Sequence, residues 1–107
     1  KDDARRVAKA WVSFNGKSAN PITAGSSFNI SGTITKNATG DYTVTFTTAF
    51  SSANYCVVVS AKQTTSGVAG VMRETSKLAG SYRFITTDTS AVALDAGAID
   101  ILFFGDQ

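Results

Sequence analysis

Glu74, Asp88, Asp95 and Asp100 are the residues from which a catalytic site would have to be built, because the chain holds no histidine. Without imidazole neither a Ser-His-Asp nor a Cys-His nucleophile can be assembled, and most transition-metal sites lose their commonest ligand. What remains is a carboxylate pair acting as general acid and base on a glycosidic bond. Glu74 is the only glutamate, and the aspartates fall where the pattern reads as solvated loop and strand ends. Grooves that cleave polysaccharide are long, and 107 residues leave little room for one. The expectation is therefore a chain that is not an enzyme and carries no cofactor and no metal.

The remaining reactive groups are few. Cys56 is the sole cysteine, so no disulfide forms within the chain and no cysteine-based zinc site exists. It reads as a small buried hydrophobe on a strand, with a bridge between chains as the alternative. The net charge of +2 is carried by Lys1, Arg5, Arg6 and Lys9 against Asp2 and Asp3, and the rest of the chain is balanced. Residues 10–107 thus offer no basic face for phosphates, which argues against nucleic acid as a partner. No run approaches the ~18 apolar residues of a membrane span, so no membrane insertion is expected. The chain opens at Lys1 rather than Met, which reads as a start removed by processing or as a piece of a longer protein, with the second expected.

The elements that must position these groups are strands. In "DYTVTFTT", residues 41–48, Tyr42, Val44 and Phe46 alternate with threonines, the pattern of a half-buried strand. "SSFNISGTIT" alternates and slips at Gly32, and with the loop "KNATG" it predicts a hairpin over residues 27–48. "ANYCVVVSAKQ" is apolar on both faces, through Tyr55, Val57 and Val59 on one side and Cys56 and Val58 on the other, which predicts a central strand. "GVAGVMRE", "SYRFITT", "AVALD" and "IDILFFG" follow as shorter strands. Only "DDARRVAKA", with Asp2 or Asp3 as N-cap, has any helical character, and it is too short to hold alone. The expectation is an all-β fold, a small antiparallel β-sandwich or barrel-like domain of about eight strands over residues 10–107, with residues 1–9 as a junction to an upstream segment.

The closing strand is apolar on both faces: Ile99, Ile101 and Phe103 on one, Leu102 and Phe104 on the other. Two apolar faces near a chain end imply cover on both, and a second copy is the simplest cover, so these five residues are the predicted oligomer interface. Trp11, in "AKAWVSFNG", shares its face with Lys9 and Ser13 while Ala10, Val12 and Phe14 share the other. That leaves it half-buried against a neighbouring strand or subunit, or exposed as a stacking platform for a sugar.

"AKAWVSFNG" followed by "SFNISGTITKNATGDYTVTFTTAFSSANYCVV" resembles a domain of tail fibre and tail tip proteins of tailed bacteriophages and prophages, over residues 8 to about 59. The resembling pattern is A-K-A-W-V-x-F-[ND]-G, then [SY]-[FY]-N-[VI]-S-x-I-T, then G-D-Y-T-V-x-F-[TS]-T-A. The chain departs from it at Ser13, at Phe50 and in the inserted "KSANPITAG". The resemblance implies a virion protein, a homotrimeric distal fibre domain that contacts a bacterial surface polysaccharide or outer-membrane receptor. It brings no catalytic motif, and Asn15, Gly16, Gly40 and Asp41 carry over only as turn formers. On a threefold axis Asp95, Asp100 and Asp106 could meet a hard cation, yet their spacing fits no calcium loop. Receptor contact is expected from exposed loops, with Thr65, Ser66, Arg73, Lys77, Tyr82, Arg83 and Asp88 as candidates and core packing as the competing reading of Tyr82. A purely structural, trimer-forming role and a carbohydrate-binding module of an extracellular protein are the alternatives.

Overall fold

The alternation of apolar and polar residues produces eight strands in a computed structural model that describes residues 7–62 and 71–107. They form two four-stranded antiparallel sheets, ordered β2-β1-β8-β5 and β3-β4-β7-β6. The first sheet is built from β1 (Ala10–Phe14), β2 (Ser26–Phe28), β5 (Cys56–Lys62) and β8 (Ala98–Phe104). The second contains β3 (Thr35–Ala38), β4 (Asp41–Thr45), β6 (Val71–Lys77) and β7 (Ser81–Thr87). The fold is all-β, as the alternation predicts. Residues 1–6, most of the expected junction, lie outside the described residues, as do the receptor-contact candidates Thr65 and Ser66.

One core fills the space between the sheets. The inward residues of β1 and β8, Val12, Phe14, Ile99, Ile101 and Phe103, meet Tyr42, Val44, Tyr82 and Phe84 of β4 and β7. The Phe103 ring lies 4.9 Å from that of Phe46 and 5.6 Å from that of Tyr82, both edge-on. Phe14 meets Tyr42 in the same way at 5.4 Å. Each such pair adds about 0.5–1.5 kcal/mol to the effect of burial alone. The buried tyrosines keep their hydroxyls satisfied: Tyr42 donates to the Gly16 carbonyl at 2.8 Å, Tyr55 to Leu78 O at 2.7 Å, and Tyr82 to Glu74 Oε1 at 3.1 Å.

Four expectations are corrected. Residues 27–48 are not one hairpin: β2 pairs with β1 in the first sheet, whereas β3 and β4 pair in the second. The chain changes sheets between them, through positive φ at Asn29 (58°) and Gly32 (61°). The Asn29 side chain pins that corner, with Nδ2 donating to Lys9 O and Thr48 O and Oδ1 accepting from Thr48 N. Secondly, β5 is an edge strand and not a central one. Thirdly, Cys56 is exposed, because it points away from the core at that edge. Lastly, "AVALD" makes only the isolated bridge Thr87–Ala93, since Asp88 and the positive φ of Ala91 fold that segment into a turn.

Candidate functional site

Strand pairing in the first sheet places side chains of its outer face in straight rows. Phe28 pairs with Trp11, Trp11 with Leu102, and Leu102 with Val58. Cross-strand partners share a face, so these four form an apolar row across all four strands. The row faces outward: Phe28 is 54% exposed, Val58 51% and Leu102 41%, with Trp11 half-buried among them. The next row is polar and consists of Ser26, Ser13, Asp100 and Ser60. Ser13 Oγ donates to Asp100 Oδ1 at 2.6 Å and fixes that carboxylate. A shallow cleft of about 210 Å³ lies over the two rows, bounded by Trp11, Val58 and Leu102 and lined mostly by apolar atoms. A contiguous apolar patch of this kind marks an interaction surface.

This geometry divides the predicted interface. Ile99, Ile101 and Phe103 are at most 1% exposed within a single chain and serve its own core, so a partner cannot reach them. Leu102 and Phe104 stay on the outer face, half-buried or exposed. Trp11 lies on that face with them. Phe28 and Val58 complete the row, and the sequence reading missed both for this role. The signal for Val58 was present in the doubly apolar "CVVVS". Phe28 was hidden by the reversal at Asn29, which leaves it in the first sheet while the chain goes on to β3 in the second.

The outer face of the second sheet is polar and internally paired. Arg83 grips Asp41 with two hydrogen bonds, Nε to Oδ1 at 3.0 Å and Nη2 to Oδ2 at 2.8 Å. Asn37 Nδ2 adds bonds to Asp41 Oδ1 and Thr43 Oγ1. The Arg83 hydrogen bonds, helped by Asn37 and by the guanidinium charge, outweigh burial and hold the Asp41 carboxyl below its ordinary pKa. Arg73 shares this face, opposite Ile85 in the register, and has no charged partner among the described residues.

The other candidates are scattered. Lys77 lies over the Tyr55 ring, 5.0 Å from its centroid. Burial pushes the Tyr55 hydroxyl up to about 12, with the Glu74 charge adding to it. Tyr82 is core, 1% exposed, and cannot stack on a ligand. Asp88 caps its own turn through Oδ1, which accepts from Ser90 N and Val92 N. Asp95 is a structural hub: Lys36 Nζ lies 2.8 Å from Oδ2, while Gly40 N donates to Oδ1 at 2.7 Å and Tyr42 OH approaches at 3.3 Å. Burial disfavours the Asp95 carboxylate, but its bonds from Lys36 and Gly40 outweigh that and lower its pKa. Gly40 must be glycine here, since φ is +72° and a Cβ would come within 2.6 Å of Leu94 O. Among the described residues no group of three or more acidic or cysteine side chains is placed to hold a metal.

No family model matches the chain, and no curated protein matches its sequence. Its fold does match a solved structure: the phiAB6 phage tailspike, in complex with three-repeated oligosaccharides of Acinetobacter baumannii surface polysaccharide. The match has a TM-score of 0.61 at 17% identity and covers 91% of this chain. At that identity the likeness is one of fold. The chain spans about a fifth of that tailspike's length.

Proposed function

We propose that this chain is a distal module of a bacteriophage tail fibre or tail-tip protein, part of the virion, that contacts a bacterial surface polysaccharide or outer-membrane receptor. It binds and does not cleave, and it works as a homotrimer. The observation that carries the reading is the fold shared over nearly the whole chain with part of a phage tailspike crystallised with a surface oligosaccharide. The resemblance over residues 8 to about 59 points the same way. The polar second sheet and the turns, Arg73 and Lys77 among them, are the surfaces left to meet the host once sister chains cover the apolar row.

A competition assay tests it. The purified domain should bind host cells and slow adsorption of the parent phage in a dose-dependent way. A stable trimer that neither binds nor competes would leave only the structural role. A second reading, a carbohydrate-binding module acting as a monomer, draws support from the half-buried Trp11 at the cleft. It is distinguished by a monomeric mass and by loss of glycan binding in Trp11→Ala.

A further inference from the structure

β1 ends at Phe14, and the two residues after it form the chain's only Asn-Gly pair. The fold dictates the glycine. Gly16 is buried, its carbonyl accepts from the Tyr42 hydroxyl at 2.8 Å, and a Cβ there would come within 2.6 Å of Ala96 O and closer still to that hydroxyl. No larger residue fits, so Asn15 is followed by a main-chain nitrogen that no side chain of its own residue shields. Asn15 itself is exposed at the start of a turn, where Ser18 N donates to its carbonyl at 3.2 Å and Lys17 N donates to its Oδ1 at 2.9 Å. The second bond makes an Asx turn, which folds the side-chain amide back along the peptide joining Asn15 to Gly16. Neither Gly16 N nor Asn15 Nδ2 has a hydrogen-bond partner among the described residues.

We infer that Asn15 is a site of spontaneous modification, losing its side-chain amide through attack by Gly16 N, and that one of the two products breaks the contact between Tyr42 and Gly16. The step needs only water. Gly16 N gives its proton to solvent and bonds to Asn15 Cγ, the Cγ–Nδ2 bond breaks, and ammonia leaves with a proton taken from solvent. Holding both reacting atoms in one short turn supplies the proximity on which such a closure depends. Water then opens the imide ring at one of its two carbonyls. Opening at Cγ leaves aspartate on an unchanged main chain, whereas opening at the main-chain carbonyl leaves isoaspartate, whose backbone runs through Cβ and Cγ.

The structure treats the two products differently. Aspartate at position 15 keeps the turn, because a carboxylate oxygen accepts from Lys17 N as the amide oxygen does. Isoaspartate adds a carbon to the main chain directly before Gly16, which Tyr42 and Ala96 already confine. The Gly16 carbonyl must then shift, and the Tyr42 hydroxyl, on a fully buried side chain, loses the acceptor it holds there.

The other four asparagines lack this combination. Asn20 precedes Pro21, whose nitrogen carries no hydrogen. The Asn29 amide is committed to Lys9 and Thr48, and that of Asn37 to Asp41 and Thr43. Asn54 precedes Tyr55 and not glycine. The inference concerns the chain alone and depends on neither host contact nor association.

Ageing the purified chain in mildly alkaline buffer tests it, with peptide mapping by mass spectrometry at intervals. In the folded chain the peptide holding Asn15 should gain the mass difference between ammonia lost and water gained before any other asparagine does. In heavy-oxygen water it should take up one labelled oxygen, and it should separate into aspartate and isoaspartate forms. Asn15→Ser, whose hydroxyl can hold the same turn, should stop that gain and keep the urea midpoint of fresh protein. Asn15→Asp should also keep that midpoint, and the isolated isoaspartate form should unfold at lower urea. An Asn15 peptide that stays intact in the folded chain while the urea-unfolded chain converts overturns the site, as does earlier conversion at another asparagine. An isoaspartate form with the midpoint of fresh protein overturns the loss of the Tyr42 contact.

Discussion

On the outside of the β3-β4-β7-β6 sheet, Asp41 and Arg83 answer each other and Asn37 joins them. On the outside of the other sheet, Phe28, Leu102 and Val58 stand exposed beside Trp11, touched across the strands by one another and covered by nothing else among the described residues. Both faces belong to the same sandwich and rest on the same core, so the contrast does not arise from folding one chain. A face whose polar groups are satisfied internally is finished when the chain folds. A face that exposes a row of large apolar side chains has the character of an interaction surface.

The sharpest way to break this contrast is to put a charge in the row. Leu102→Asp should abolish association and return the mass to that of one chain by light scattering, whereas Thr43→Asp on the opposite face should leave the mass unchanged. If both variants associate equally, the two faces do not differ in kind. The next test compares neighbours on one strand. Phe103→Ala, which empties the core, should lower the unfolding free energy by about 3–5 kcal/mol in urea melts. Leu102→Ala, measured at a dilution where the chain is monomeric, should cost only about 1 kcal/mol, because a side chain 41% exposed has less burial to lose than one that is fully enclosed.

Smaller effects belong to the polar face. Asp41→Ala should cost about 1 kcal/mol by thermal or urea unfolding, the scale of a bidentate pair that is only partly shielded from water. Acid should act in the same place. Asp41 and Asp95 both have folded pKa values below the ordinary 3.8. Their contribution is therefore complete above that value and is lost as the pH falls below it through the folded-state values. A urea-midpoint series from pH 6 to pH 2 should show that decline, and Asp41→Asn should flatten part of it. Arg73→Ala, with no charged partner among the described residues, should change stability by less than about 0.5 kcal/mol.

The alternation of Tyr42, Val44 and Phe46, and of Ala10, Val12 and Phe14, made the all-β class and much of the core legible, because a period of two is the physical signature of a strand with one wet face. What it could not supply was neighbourhood. "CVVVSAK" is apolar on both faces whether its second face meets a strand of its own chain or of another, so its sequence named burial and not who provides it. The same ambiguity split the predicted interface: Ile101 and Leu102 are adjacent and equally apolar, and only the register with Val12 and Val59 shows which of them points inward. The sheet change at Asn29 was illegible for a different reason. Besides the positive φ at Gly32, it depends on a positive φ at Asn29 and on three hydrogen bonds of that side chain, and an asparagine within "SFNIS" does not announce either.

The order of strands also carries a message about timing. The second sheet is made of two local hairpins, β3-β4 and β6-β7, that meet through β4 and β7, all within residues 35–87. The first sheet needs β1 from near one end of the chain to lie against β8 from near the other, and that loop closure is slow. A ribosome therefore releases every strand of the polar sheet before residues 98–104, on which the apolar row depends, have emerged. The surface most prone to stick to other nascent chains forms after the polar one.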